Sequence, residues 1–416
     1  MKKWIGVSVL VVLWGIVCTK TYVGGSYLLG WDNLVPEFGF QININRALST
    51  TWQEYQGIGL LGGMGHAADL TRQILLWGMS GVVPTNMLRW GWTLGMLLLG
   101  PLGIYALGKK FFRLDLAALV GAVFYLLNPV TVQVFNVPFE TFVSFYGFVP
   151  WMLWGALTYL RDGRRASLIK LLLILLLGMS AFVVQTMFIV LLIMIGIFSL
   201  EHLVKYRDLK RVLKMWLVVL AGNLFWLLPV LWFGITSSSV NINAKMNQLA
   251  THEVELMNVA YGDIAEIASL KGWWLQNTDV NSDGKMILLM ENWTKWLGGS
   301  EVQWVGIIIF ITAIIGLLYL IKEDQKKKLK WSWLSILLLI FTMLARRVQI
   351  FSKIYDLIAQ NVPLFGQMFR AGYTKWSIPM ILVVSVGLMS IINYLYSRAR
   401  VFAWVVTFLF LGMISY

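Results

Sequence analysis

The sequence predicts an all-α polytopic membrane protein with about eleven transmembrane helices, and three observations carry that reading. Of 416 residues, 58% are hydrophobic and 13% charged, against about 25% charged in a soluble domain. The apolar residues come in runs parted by short charged stretches, as repeated crossings of a ~30 Å hydrocarbon core require. The 34 Lys and Arg outnumber the 20 Asp and Glu, and they cluster between particular runs. A cytosolic enzyme, a disordered chain and a collagen-like chain are excluded.

The first run, 4–18, follows Lys2 and Lys3 and precedes no small-x-small cleavage site. It reads as an uncleaved first span with the N-terminus cytoplasmic. Further runs lie at roughly 88–107, 116–127, 141–160, 168–200, 215–235, 303–321, 331–345, 377–396 and 401–416. As one helix, 168–200 would be about 50 Å long, too long for a single crossing. Arg161, Arg164, Arg165 and Lys170 precede it, and Lys205, Arg207, Lys210, Arg211 and Lys214 follow it. Both flanks are therefore cytoplasmic, and the run is expected to turn back within 178–185.

With that topology, segments 1–3, 108–115, 161–170, 201–214, 322–330 and 397–400 hold 21 bases and six acids, and the rest 13 bases and 14 acids. The net +14 is thus an orientation signal, and no nucleic-acid partner is expected. Cys18 is the single cysteine, so no intrachain disulfide can form. Away from their edges the spans hold no Asp, Glu, Lys, Arg or His. Ion-coupled transport needs such groups near mid-membrane, so any chemistry is expected at the outer surface. Most tryptophans sit near span ends, as an interfacial belt requires; Trp31, Trp52, Trp273 and Trp274 are candidates for stacking on a sugar.

Three outer segments are long enough to build a site: 19–87, 236–302 and 346–376. The first holds a polar-acidic stretch at 30–38 with Asp32 and Glu37. Residues 57–62 match GxGxxG but lack the strand and acidic partner of a dinucleotide site, so no nucleotide cofactor is expected. Beyond it, Asp69, Arg72 and Gln73 share a helical face opposite Leu70, Ile74 and Trp77. That helix suits the membrane interface, either resting on lipid or lining a headgroup site with His66 and Asp69. Glu140 follows Pro138 close to the membrane in the next outer turn.

The loop 236–302 contains Asp279, Asn281, Asp283 and Gly284 at positions 1, 3, 5 and 6 of a calcium-loop pattern, with Met290 at position 12 and Glu291 one residue late. A calcium ion held by Asp279, Asn281, Asp283 and Glu291 and a metal-free Asp/Asn/Gly turn are both open. In 346–376, Arg346, Arg347, Lys353, Arg370 and Lys375 face only Asp356 in charge. Anchoring to anionic headgroups is one use for them; binding of a lipid phosphate by Arg370 and Lys375 is the other.

Three stretches together carry a family resemblance: Trp31-Asp32-Asn33-Leu34-Val35-Pro36-Glu37 after span one, Tyr125-Leu126-Leu127-Asn128-Pro129 ending span three, and Phe369-Arg370 with Lys375-Trp376 before span ten. In order and sidedness the chain resembles the GT-C superfamily of membrane glycosyltransferases, in particular its bacterial arabinofuranosyltransferase-like members. The resemblance implies one GT-C-like transmembrane domain over 1–416, multi-pass in the cytoplasmic membrane with an extracytoplasmic active site. It implies a polyprenyl-phosphate sugar donor, a glycan or glycolipid acceptor, and a first-loop carboxylate as base, which maps onto Asp32, with Glu37 in reserve. The alternative class is a lipid or lipid-linked-sugar transporter (a flippase) or a noncatalytic membrane scaffold, because a flippase needs no mid-membrane charge.

Overall fold

The computed structural model describes residues 4–28, 35–49, 52–53, 60–61, 65–322, 330–362, 364–398 and 412. Its α-helices in chain order are α1 (Ile5–Thr21), α2 (Phe40–Leu48), α3 (Leu70–Met79), α4 (Thr85–Phe111), α5 (Asp115–Leu126), α6 (Pro129–Asn136) and α7 (Glu140–Asp162). They continue as α8 (Arg165–Leu177), α9 (Gln185–Tyr206), α10 (Leu209–Ala221), α11 (Leu224–Thr236), α12 (Ser238–Asn243), α13 (Lys245–Ala260) and α14 (Ile264–Ala268). The last six are α15 (Glu291–Leu297), α16 (Ser300–Lys322), α17 (Trp331–Leu344), α18 (Gln349–Asn361), α19 (Phe365–Met368) and α20 (Gly372–Arg398). Strand structure among the described residues is confined to two short antiparallel pairs, β1 (Trp52–Gln53) with β2 (Leu60–Leu61) and β3 (Thr278–Val280) with β4 (Met286–Leu288).

The chain is a helical, membrane-embedded protein. Among the described residues, α4, α9, α16 and α20 are each long and apolar enough to cross a membrane. The bent pairs α5–α6 (42°), α10–α11 (79°) and α17–α18 (82°) raise the number to seven if each counts as one span. A helix rises 1.5 Å per residue, so the 17-residue α1 is short for a ~30 Å core.

Two compact units make up the chain: residues 1–107 with 137–243, and residues 108–136 with 244–416. In the first, α7 packs on α8 and on a 3-10 turn, Met179–Phe182. Phe145, Tyr146, Val149, Met152 and Leu153 of α7 are fully buried. Gly163, in the left-handed conformation at φ 65°, ends α7, where a side chain would be strained. Phe182, Phe188 and Trp226 form an aromatic knot with ring centroids 4.9 to 5.9 Å apart. The expected interruption of the 168–200 run lies at 178–184, between α8 and α9.

The 215–235 run is not one helix, contrary to the sequence reading. The buried Asn223 Nδ2 donates to Val219 O at 2.8 Å, and its Oδ1 accepts from Trp226 Nε1 at 2.9 Å. The side chain thereby takes the carbonyl that the Asn223 backbone N–H would use in a continuing helix. That N–H donates instead to Leu220 O, and the chain bends by 79° into α11.

In the second unit α20 is buried along most of its length against α5, α16 and α17. Small residues let the α16 and α20 backbones approach closely. A Cβ on Gly316 would lie 1.9 Å from Gly387 O, and one on Gly387 would lie 2.3 Å from Ala313 O. Dispersion across such a crossing replaces the hydrophobic drive that lipid cannot supply. Tyr319 and Tyr394 stack at 4.0 Å in the same helix pair. The basic segment 346–376 is also not one loop: α18 and α19 lie in it, and α20 starts at Gly372. Lys375 therefore stands in the first turn of a helix. The 401–416 run lies outside the described residues except Gly412.

Candidate functional site: a buried ion network in the first unit

The amphipathic helix expected after His66 forms, but its orientation inverts the simplest membrane-surface reading. Asp69, Arg72 and Gln73 are buried, while Ile74 and Trp77 are 49% and 56% exposed. The polar face thus points into the protein, where isolated charges would be costly unless paired and hydrogen-bonded.

Arg72 is paired on both sides. Its Nε and Nη2 donate to the two carboxylate oxygens of Asp69 at 2.7 and 2.6 Å. Its Nη2 and Nη1 also reach Glu140 Oε2 and Oε1 at 2.9 and 2.8 Å. The planar guanidinium thus sits between two carboxylates, hydrogen-bonded through Nε and Nη2, with Nη1 at ion-pair distance from Glu140. Burial by itself would lower the proton affinity of Arg72; Asp69 and Glu140 outweigh burial and hold it firmly protonated. Gln73 Nε2 donates to Asp69 Oδ2.

Arg89, near the start of α4, extends the network. Its Nε donates to Glu140 Oε1 at 2.9 Å and lies 3.8 Å from Glu37 Oε1. Its Nη1 donates to Leu28 O. Glu37 enters on a single 3-10 turn, Pro36–Phe38, started by the proline. Three carboxylates thus share two guanidinium groups, and Glu37 is the least neutralised of the three. Its Oε2 is buried and has no hydrogen-bond partner among the described residues. Burial pushes the Glu37 carboxyl up, against the opposing effects of a backbone N–H, Arg89 and Arg72. A carboxylate poised in this way can accept a proton.

His66 closes the other end of the polar face. Arg46 Nη2 lies 3.1 Å from His66 Nε2. Arg46 can only donate, so Nε2 accepts and the imidazole proton is on Nδ1. Burial first, and the Arg46 charge second, lower the imidazole to about 4, with Asp69 opposing.

The network gathers Glu37, His66, Asp69 and Glu140 from the sequence-derived candidates. The sequence places Arg72 on the polar face but does not mark it as the hub. Arg89 was missed, because it stands at the edge of an apolar run where a cation is ordinarily an interfacial anchor. A buried arginine needs an acidic partner, and Glu140, opening another apolar run, was the available signal. Asp32 lies outside the described residues, as do Gly57, Gly59 and Gly62 of the GxGxxG match.

Arg370 and Lys375 belong to the second unit. Arg370 Nη1 donates to Asn247 O at 3.3 Å and Thr251 Oγ1 at 3.4 Å, and Lys375 is buried. Arg346 is consumed structurally: it pairs with Glu255 at 2.7 Å and Asp356 at 2.8 Å and lies over the Tyr355 ring.

The calcium-like sequence is the turn of the β3–β4 hairpin. Asn281 Oδ1 accepts the backbone N–H groups of Asp283 and Lys285 at 3.0 and 2.9 Å. Gly284 supplies the left-handed residue, with φ 74°. Glu291, in α15, pairs with Lys295 at 2.6 Å. Among the described residues, no three His, Cys, Asp or Glu side chains group closely enough to hold a metal ion. Asp279, Asn281 and Asp283 thus lie on this hairpin and Glu291 on the helix after it, with Asn281 Oδ1 and the Glu291 carboxylate already engaged by these contacts.

Comparison with protein families finds no match, and comparison with curated proteins finds none either.

Proposed function

We propose that the chain is a GT-C-type glycosyltransferase of the cytoplasmic membrane, moving a sugar from a polyprenyl-phosphate donor to an extracytoplasmic glycan or lipid-linked acceptor. The observation that supports this most is Glu37: a buried first-loop carboxylate with one oxygen unpartnered among the described residues, steadied beside Arg89. Transfer by direct displacement needs one such base. The carboxylate takes the proton of the acceptor hydroxyl as that oxygen attacks the anomeric carbon. The bond from that carbon to the phosphate oxygen breaks, and its electron pair leaves with the lipid phosphate. One displacement inverts the anomeric centre.

The family resemblance assigns the base to Asp32, and the setting of Glu37 makes it the second candidate on the same segment. In this proposal Asp69 and Glu140 are positioning residues, because Arg72 occupies both. Separately from this carboxylate network, Arg370 and Lys375 are assigned to binding a lipid phosphate, to which their cationic chemistry is suited. Purified protein given a polyprenyl-phosphate sugar and an acceptor glycan tests the reading. Loss of the base typically costs about 10²–10⁴-fold in rate, so either Asp32→Asn or Glu37→Gln should show that loss with donor binding intact. In the same assay Arg370→Ala and Lys375→Ala should weaken donor binding, and Arg370→Lys should rescue only in part. Near-normal turnover by both carboxylate variants would end the enzyme reading.

A further inference from the structure

The second unit holds a partly open cavity of about 480 Å³ that the proposed chemistry does not use. That volume falls within the ~300–1,000 Å³ of ordinary ligand sites. Its inner wall comes from apolar helices: Phe124 of α5, Phe310 of α16 and Val384 of α20 line it, each at most 5% exposed. All three helices belong to candidate membrane spans. Its other side is formed by α15, which brings Trp293 and Trp296 to the lining. These indoles meet edge to face at 5.5 Å and remain 40% and 37% exposed. α15 is held down by Leu297, buried in a small core with Leu275 and Met290.

The chemistry of the lining selects an occupant. Apolar side chains dominate the span-derived wall, and the amphipathic indoles mark the more exposed side, the arrangement that tryptophan takes at a membrane interface. Among the described residues, none that lines the cavity carries a charge. The polar groups there are partly committed: Asn128 Nδ2 donates to Phe124 O and Tyr125 O, and Ser269 donates to Ala265 O. A phosphate monoester would find no cation among the described lining residues to offset its charge, whereas a hydrocarbon chain gains free energy for each methylene buried.

We propose that this cavity binds one acyl chain of a zwitterionic or neutral membrane lipid, as a site separate from that of a phosphorylated donor. The proposal does not depend on the glycosyltransferase reading, so each can fail alone. The full-length protein, reconstituted in phosphatidylcholine nanodiscs and released for native mass spectrometry, should retain one phosphatidylcholine. Val305→Phe and Val132→Phe each put a ring where the cavity lining stands. Removing room for about two methylenes should weaken retention about tenfold in a variant that remains folded. Farnesyl phosphate at equal concentration should leave the bound phosphatidylcholine in place. Three results would each overturn the proposal: no lipid retained by the parent protein, equal retention by a filled variant that remains folded, or displacement by farnesyl phosphate. Should one filled variant misfold, the other and the parent measurement still decide the matter.

Discussion

At the scale of single residues, the first unit is governed by how few partners a buried charge can accept. Arg72 satisfies both Asp69 and Glu140, which leaves Glu37 with Arg89 at 3.8 Å and an elevated proton affinity. His66 offers a direct test of this environment. Its imidazole is lowered from 6.5 to about 4, by burial first and then by Arg46. A depressed folded-state value means that the unfolded chain binds the proton more readily. Stability is therefore present above about pH 6.5 and is lost as pH falls towards 4, by up to about 3 kcal/mol. Thermal unfolding of parent protein and His66→Gln in detergent should diverge across that window, with the parent losing more. Parallel pH profiles would mean that His66 stays accessible to protons in the folded state.

At the scale of elements, two short motifs show how local geometry chooses among sequence readings. The β3–β4 turn uses Asn281 Oδ1 to hold two backbone N–H groups, the same oxygen that the calcium reading would give to the metal. If the turn is metal-free, adding millimolar calcium or removing it with a chelator should leave the melting temperature unchanged; a calcium-dependent shift that Asp283→Asn abolishes would show that the loop holds the ion. The α16–α20 crossing is the opposite case, since it has no room for a side chain. Gly387→Leu would drive its Cβ into the Ala313 carbonyl. Overpacking of this kind costs about 1–3 kcal/mol or more. Reduced melting temperature in that variant, with Gly366→Ala as the unstrained control, checks the close approach; equal stability of the two variants would refute it.

At the scale of the whole molecule, orientation rests on charge. The bases gathered between runs predict eleven spans with the N-terminus inside, and this topology belongs with the proposed function. In a Cys18→Ser background, Val280→Cys and Gln360→Cys place thiols at exposed positions of the expected outer segments. An impermeant maleimide should label both in intact cells. Arg165→Cys, also exposed but expected inside, should label only after lysis. Labelling of position 165 in intact cells would reverse or break the topology.

The sequence alone determined the all-helical membrane class, because hydropathy and the periodicity of apolar runs are properties of neighbouring residues. For the same reason it located the interruption between α8 and α9 and the polar face of Asp69, Arg72 and Gln73. Only the tertiary structure decided which way that face points. It is turned inward because Glu140 and Arg89, 68 and 17 residues further on from Arg72, supply charges that make its burial tolerable. The bend at Asn223 was likewise hidden, since it depends on a side-chain amide competing with the backbone for one carbonyl. The cavity behind Trp293 and Trp296 was beyond any local pattern: its lining comes from residues 124 to 384. Periodicity is written in adjacent positions, whereas the pairing of buried charges and the filling of space are settled between distant ones.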